Sequence, residues 1–251
     1  MGILGIAAVA ALVLLPPVPQ DSSYHRFADS RTMWGIPNFW NVLSNLPFAF
    51  AGLAGLFSLQ AVTSGWQRTA AAIQFGGLIA TAAGSAWYHL APDNLSLFWD
   101  RLPMTVVFMS LLALLLEDRV SSRAGRLALP VLLAAGVGGV VHWRMTEAYG
   151  AGDLRLYGVT QFLPVLAIPV LLLLCPPRFT GAGWLWACLG CYAAAKALEA
   201  ADEPVFRVGG ISGHTWKHIA AAIGGGLIVL WLRSRRPISC ENEKDVPTVA
   251  P

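Results

Sequence analysis

The sequence has few charged residues. Only 12% of its 251 residues are Asp, Glu, Lys or Arg, about half of the roughly 25% that is usual in soluble domains. The formal net charge is only +3, and the basic residues lie at the ends of apolar runs and not in a stripe, so nucleic-acid binding gains no support. With a mean hydropathy of +0.59, such a chain would be hard to keep in solution as a soluble domain.

Cysteine is also scarce. Cys175, Cys188 and Cys191 fall in apolar runs and Cys240 in the polar C-terminal tail, which provides no paired extracytoplasmic framework for disulfide bonds. Cys188 and Cys191 form a CxxC motif, but a redox or metal-binding CxxC needs a polar loop or a helix start. We interpret the pair as ordinary apolar packing.

Apolar runs of about 18 to 23 residues recur between short polar breaks, which is enough at 1.5 Å per residue to cross a hydrocarbon core of roughly 30 Å. Outer-membrane strands would instead alternate apolar and polar residues, and this pattern is missing from the sequence. The sequence predicts an all-α membrane protein, a seven-transmembrane helix bundle with an additional N-terminal hydrophobic segment. The predicted spans lie near residues 2–19, 39–61, 69–91, 98–117, 127–143, 157–175, 182–200 and 211–232.

The predicted spans divide the chain into three parts. Residues 1–20 form an N-terminal anchor or signal-like segment, and the lack of a small-x-small cleavage site before Asp21 favours a retained anchor. Residues 21–232 form the seven-span membrane domain and leave no room for a separate soluble domain. Residues 233–251 form a C-terminal tail that we expect to be cytoplasmic and disordered.

The distribution of arginine predicts the orientation in the membrane. One set of connecting loops, together with the segment after the last span, carries the larger number of arginines, and the positive-inside rule makes that set cytoplasmic. Its arginines are Arg68, Arg119, Arg123, Arg126, Arg178, Arg233, Arg235 and Arg236. The opposite ends of the spans then lie at the extracytoplasmic face.

Five polar residues gather at those opposite ends. Ser85 and His89 are one helical turn apart and therefore share a helix face. His214 and His218 repeat that spacing at the start of the last span, and Asp100 opens the span that follows His89. Polar and ionisable residues inside membrane spans are costly, so a functional site is the default hypothesis for them.

Three imidazoles with one open position are the ligand set of a catalytic zinc ion, and an i, i+4 pair supplies two ligands from one rigid helix. We therefore predict that His89, His214 and His218 bind Zn²⁺. Each polar residue has a simpler explanation by itself: a span histidine or serine can be satisfied by hydrogen bonds, and Asp100 could pair with Arg101. Their combination at one membrane face favours the metal site.

A second polar group precedes this constellation. Asn41, Ser44 and Asn45 form one polar stripe on an otherwise apolar helix, and hydrogen bonding between helices explains the stripe. Just upstream, Asp29 and Asn38 could supply oxygen ligands for Ca²⁺.

The run NFWNVLSNLPF, the SxxxH motif, the span-opening Asp and the terminal HxxxH together resemble the alkaline ceramidases. The similarity covers residues 21 to 232. The wider superfamily, which includes the progestin and adipoQ receptors, shares the five polar residues, and the FWN..SN motif favours the ceramidase branch. The resemblance implies a seven-helix bundle with zinc in a lipid-accessible pocket, where ceramide is cut to a sphingoid base and a fatty acid.

Residue by residue, the resemblance implies that His89, His214 and His218 are the zinc ligands and that Ser85 and Asp100 are the catalytic pair. Zinc would acidify a water and polarise the amide carbonyl, Asp100 would orient that water or take its proton, and Ser85 would donate to the developing oxyanion. Family members also carry calcium near the first core helix. Here Asn38 stands in place of the family's Glu before FWN, and Asp29 is the carboxylate that remains.

Two alternatives stay open at this point. A receptor or sensor could hold the same zinc without turnover, and a hydrolase could act on an N-acyl lipid other than ceramide. A transporter would place ionisable groups near the middle of the bilayer, which the predicted positions do not. The predicted partner is a membrane lipid, and the oligomeric state is open.

Overall fold

The computed structural model describes residues 2–62 and 65–238. This part of the chain is all-helical and contains no β-strand. The predicted tail from residue 239 onward, with Cys240, lies outside the described residues. The α-helices are α1 (Gly2–Leu14), α2 (Phe39–Leu43), α3 (Leu46–Phe57), α4 (Gly65–Leu90), α5 (Asn94–Arg119), α6 (Ser122–Ala148), α7 (Arg155–Leu174), α8 (Ala182–Ala200), α9 (Asp202–Gly209) and α10 (Gly213–Ser234).

Five helical segments in the described chain are long and apolar enough to cross a membrane: α2 with α3, then α5, α6, α7 and α10. The length and composition of these segments are those of an integral membrane protein. The prediction of seven spans also included α4 and α8, which have 26 and 19 residues but are not among the five. Helix α1 has 13 residues, or about 20 Å, so the predicted N-terminal span is not confirmed.

The predicted span near 39–61 consists of two helices and not of one continuous helix. Helix α2 ends at Leu43, and α3 begins at Leu46, with Pro47 in its first turn. Proline has no backbone N–H, so the carbonyl one turn before it loses its helical partner. The break leaves Ser44 and Asn45 in the connection, both buried.

Helix α5 begins earlier than the sequence suggested. The Asp93 carboxylate accepts a hydrogen bond from the Ser96 backbone N–H at 2.6 Å, and the Ser96 hydroxyl accepts one from the Asp93 N–H, which forms a capping box. The bond from Ser96 N–H also lowers the pKa of Asp93 below its ordinary value. Asp100 therefore lies almost two turns inside the helix and not at its first residue.

The helices form a bundle in which α4 packs between α3 and α5, α5 also contacts α6 and α7, and α10 packs against α8 and α3. One large buried apolar cluster fills the middle of this bundle and includes Phe75, Leu112 and Ile228. A smaller cluster around Tyr88, Leu97 and Trp143 lies beside the histidines.

Charged side chains cluster at the opposite end of α5. Asp118 forms an ion pair with Arg119 at 2.8 Å, and Glu117 lies 3.5 Å from the guanidinium of Arg235 after α10. The Arg178 backbone N–H donates to the Asp118 carbonyl. Glu117 is 17 residues beyond Asp100, about 26 Å along the helix, so this cluster is far from the histidines.

Candidate metal centre

The three predicted histidines lie together. His89 is in the last turn of α4, and His214 and His218 are one turn apart at the start of α10. Their ring centroids are separated by 4.9 to 5.0 Å, and one ligand nitrogen from each lies within 4.8 Å of the others. A tetrahedral zinc site places its nitrogens about 3.4 Å apart, so the three histidines are separated by the kind of distance that a shared metal ion requires.

The hydrogen bonding of these rings fits a metal ion. Nδ1 of His89 and Nε2 of His214 are buried and have no hydrogen-bond partner in the described part of the chain. Buried polar atoms are rarely left unsatisfied, and a metal ion accepts the lone pair of a neutral imidazole. The cluster of His89, His214 and His218 could therefore bind a metal ion.

The third ring has a hydrogen bond that leaves one nitrogen free. The Ser44 hydroxyl lies 2.7 Å from Nδ1 of His218, and the same hydroxyl donates to the Asn41 carbonyl at 3.1 Å. A hydroxyl has one proton, so it accepts from His218 Nδ1–H. This tautomer leaves Nε2 of His218 free to bind a metal, which is the usual arrangement around metal-bound histidine.

Backbone contacts hold the two helix ends that carry the histidines. Asn38 donates from its side-chain amide to the His89 carbonyl at 2.8 Å. The Asp202 carboxylate accepts from the His214 N–H at 2.7 Å and from the Ala28 N–H at 2.9 Å. A Cβ on Gly213 would lie 2.2 Å from the Leu198 carbonyl oxygen, so only glycine allows α10 to start this close to α8.

Ser85 and Asp100 are also brought together, on α4 and α5. The Ser85 side chain is in hydrogen-bonding contact with the Asp100 carboxylate. Gly84 makes this contact possible, because a Cβ there would lie 2.0 Å from the Trp99 carbonyl oxygen. Asp100 does not form the ion pair with Arg101 that the simpler explanation required.

A cavity of about 340 Å³ joins these groups, a size within the usual range for small-molecule sites. Ser85, Asp100 and His218 line its polar end. The rest of the wall comes from Tyr24, before α2, and from α3, α4, α5, α7, α8 and α10. It is largely apolar, with Leu78, Val107, Phe108, Leu111, Phe162 and Ile228 among its residues. Phe27 covers the outer side of the cluster, with its ring 4.7 Å from those of His89 and His214.

A charged triad that the sequence analysis did not identify lies at the polar end of the cavity. Glu199 pairs with Lys196, one turn away on α8, and with Lys217 at 2.6 Å. All three residues line the cavity. Lys217 lies between His214 and His218 along α10, and its role could not be inferred from spacing because its partner comes from α8.

The two calcium candidates are engaged elsewhere. Both oxygens of Asp29 bind the Arg31 guanidinium, at 2.6 and 2.7 Å. Asn38 donates to the His89 carbonyl, and no group of potential ligands in the described chain includes Asp29. These contacts favour roles other than calcium binding: the Asp29 carboxylate is neutralised by Arg31, and Asn38 holds the backbone carbonyl of His89.

The polar stripe has three different sets of contacts. The Asn41 side-chain oxygen accepts from the Thr215 hydroxyl at 2.8 Å, which ties α2 to the start of α10. Ser44 bonds to His218. Asn45 donates only to carbonyls of its own helix region, Asn41 and Val42.

No protein-family model and no curated protein sequence matches this chain.

Proposed function

We propose that the protein is a metal-dependent amidase of the membrane that hydrolyses ceramide or a related N-acyl lipid to an amine and a fatty acid. The observation that carries this proposal is the shared cavity: His218, Asp100 and Ser85 stand at its polar end, and its apolar wall suits an acyl chain. A purely structural metal would not need a serine and an aspartate beside it, nor a cavity leading to it.

Zinc is the metal we propose, held by His89, His214 and His218. Neutral imidazoles are preferred zinc ligands, and three of them leave a position open for chemistry. When bound there, zinc supplies an acidified water and polarises a carbonyl. Calcium is not part of the proposal.

The residues of the chain have separate tasks. Asp100 accepts a proton from the attacking water, whose oxygen forms the new bond to the carbonyl carbon. Once Asp100 has taken the proton of the water it is no longer an anion, and the Ser85 hydroxyl turns from it to donate a hydrogen bond to the oxygen on which negative charge develops. The C–N bond then breaks, and Asp100 returns the proton to the leaving nitrogen, so the products are an amine and a carboxylic acid. Phe27 keeps bulk water away from the outer side of the histidines.

In the membrane we propose seven spans, formed by α2 with α3, and by α4, α5, α6, α7, α8 and α10. The arginine-rich ends of α5 and α10 would face the cytoplasm, and the histidines would lie near the extracytoplasmic face. Polar residues of α4 and α8 line the cavity, among them Gln74, Ser85 and Lys196, so these two helices would cross the membrane with a polar side turned towards the site.

Metal analysis of the detergent-purified protein, together with hydrolysis assays on a panel of N-acyl lipids, tests the proposal. We expect about one zinc per chain and release of fatty acid from at least one lipid. His214→Ala should lose both the zinc and the hydrolysis, whereas His142→Ala on α6, outside the cluster, should keep both.

Two results would contradict the proposal. If His214→Ala retained both zinc and hydrolysis, the three histidines would not form the site. Stoichiometric zinc with no turnover of any lipid in the panel would instead favour a receptor or sensor that uses the same metal.

A further inference from the structure

Arg101 is a buried cation without an anionic partner. It is 5% exposed, and its Nη1 is buried with no hydrogen-bond acceptor among the described residues. None of the ion pairs in the described chain involves it. A buried guanidinium is normally paired, because its dehydration is costly. The missing acceptor therefore needs an explanation.

Aromatic rings surround the guanidinium. Its central carbon lies 4.3 Å from the ring centroid of Trp143, 4.6 Å from that of Tyr157 and 5.4 Å from that of Tyr24. We call these three residues the aromatic cage. Such contacts stabilise a cation through the faces of the rings, but they supply no acceptor for its five N–H donors. The cage fixes the guanidinium in place and leaves its hydrogen bonds for another group.

The guanidinium lines the same cavity as the proposed catalytic residues. Arg101, Tyr24 and Tyr157 all contribute to its wall, and Arg101 follows Asp100 directly in α5. The nearby carboxylates are already engaged, since Glu199 binds Lys196 and Lys217 and Asp100 contacts Ser85. A ligand in the cavity can supply the acceptor that Arg101 lacks.

The charged residues of the cavity wall also favour an acceptor that is negatively charged. Its ionised side chains are the cations Arg101, Lys196 and Lys217 and the anions Asp100 and Glu199, which is an excess of one positive charge before any metal is counted. The rest of the wall is largely apolar. An acyl chain would occupy the apolar part, so the amine portion of the substrate would lie at the polar end beside Arg101.

We propose that Arg101 binds an anionic group on the amine side of the substrate, so that the preferred substrate is an N-acyl amino acid or a similar anionic N-acyl lipid. This inference rests on the proposed amidase function. A guanidinium binds a carboxylate through two parallel hydrogen bonds. A neutral substrate would leave those donors unpaired, which is the situation in which binding sites discriminate most strongly.

Two substrates that differ only in this group provide the test. N-oleoylglycine and N-oleoylethanolamine share the acyl chain and the amide. N-oleoylglycine has a carboxylate at the position where N-oleoylethanolamine has a hydroxymethyl group. For the zinc-loaded protein in lipid nanodiscs, we expect kcat/KM to be at least about tenfold higher for N-oleoylglycine. Arg101→Gln should reduce this ratio to about one, and Arg101→Lys should keep part of it because the charge remains.

Arg207→Gln is the matched control, because the Arg207 side chain is exposed on α9 and pairs only with Glu203. This variant should keep the selectivity ratio of the wild type. Equal kcat/KM for the two substrates in the wild-type protein would overturn the inference without any variant. A ratio that survives Arg101→Gln would also overturn it, even if that variant lost stability.

A binding measurement separates this inference from the amidase proposal. Equilibrium dialysis of the two radiolabelled lipids with the full-length Asp100→Asn variant reports affinity without turnover. Tighter binding of N-oleoylglycine that Arg101→Gln removes supports the anionic subsite even if the wild-type protein hydrolyses neither lipid, and in that case only the amidase proposal fails. Equal affinities together with hydrolysis would refute the subsite and leave the amidase standing.

Discussion

Replacing Ser44 with alanine tests how the protein sets the metal affinity of His218. The Ser44 hydroxyl accepts the 2.7 Å hydrogen bond from His218 Nδ1–H and donates its own hydrogen bond to the Asn41 carbonyl. The alanine variant removes only the hydroxyl and leaves His218 Nδ1–H buried without this acceptor. The ring then loses its hydrogen bond to Ser44, which favours both its orientation and its tautomer.

The expected loss follows from similar metal sites. Removing the hydrogen-bond partner of a metal-bound histidine lowers metal affinity about 10- to 100-fold, which corresponds to about 1.4 to 2.7 kcal/mol. An unsatisfied buried donor costs about 1 to 3 kcal/mol, so the two approaches agree. We therefore expect the Kd for zinc to rise 10- to 100-fold in Ser44→Ala, with hydrolysis restored at saturating zinc.

Competition with a chromophoric zinc chelator measures this Kd in detergent-purified protein. Asn45→Ala is the matched control, because Asn45 belongs to the same buried stripe but donates only to its own helix region. Its Kd should stay within about threefold of the wild-type value, below the range expected for a ligand's hydrogen-bond partner. An unchanged Kd in Ser44→Ala, or an equal loss in Asn45→Ala, would refute the role assigned to Ser44.

Two other predictions concern the packing and pH dependence of the fold. Gly84→Ala should destabilise the protein by about 1 to 3 kcal/mol and lower its thermal midpoint, because the new methyl group would lie 2.0 Å from the Trp99 carbonyl oxygen. The control is Gly76→Ala, in open space on the same helix, which should be neutral or stabilising. Similar thermal midpoints for the two variants would contradict the close approach of α4 and α5 at Gly84. The hydrogen bond from Arg155 lowers the pKa of Asp153 to about 2, below the value of about 3.9 for an unfolded chain. The stabilisation by Asp153 is therefore complete above about pH 5 and is lost as the pH falls through about 4 towards about 2. The difference in thermal midpoint between wild type and Asp153→Asn should shrink over that interval, and a constant difference would contradict the pKa.

The sequence by itself determined the local relations. Helical periodicity places His214 beside His218 and Ser85 beside His89, whatever the rest of the chain does. The apolar runs likewise predicted an all-helical membrane protein, and the bounds of α4 to α8 and of α10 lie within a few residues of the predicted spans. The breaks in this agreement have local causes. Pro47 divides one span, and the capping box at Asp93 starts α5 earlier.

Only the tertiary structure decided which distant residues meet. The contact of Ser44 with His218 joins positions 174 residues apart, and no periodicity encodes it. The pairing of Glu199 with Lys217 and the aromatic cage around Arg101 likewise depend on how α5, α6, α7, α8 and α10 are placed. Side-chain spacing fixes neighbours within a helix, whereas contacts between helices depend on packing distances. Those distances are set by single small residues such as Gly84 and Gly213, whose effect becomes visible only once the facing backbone is in place.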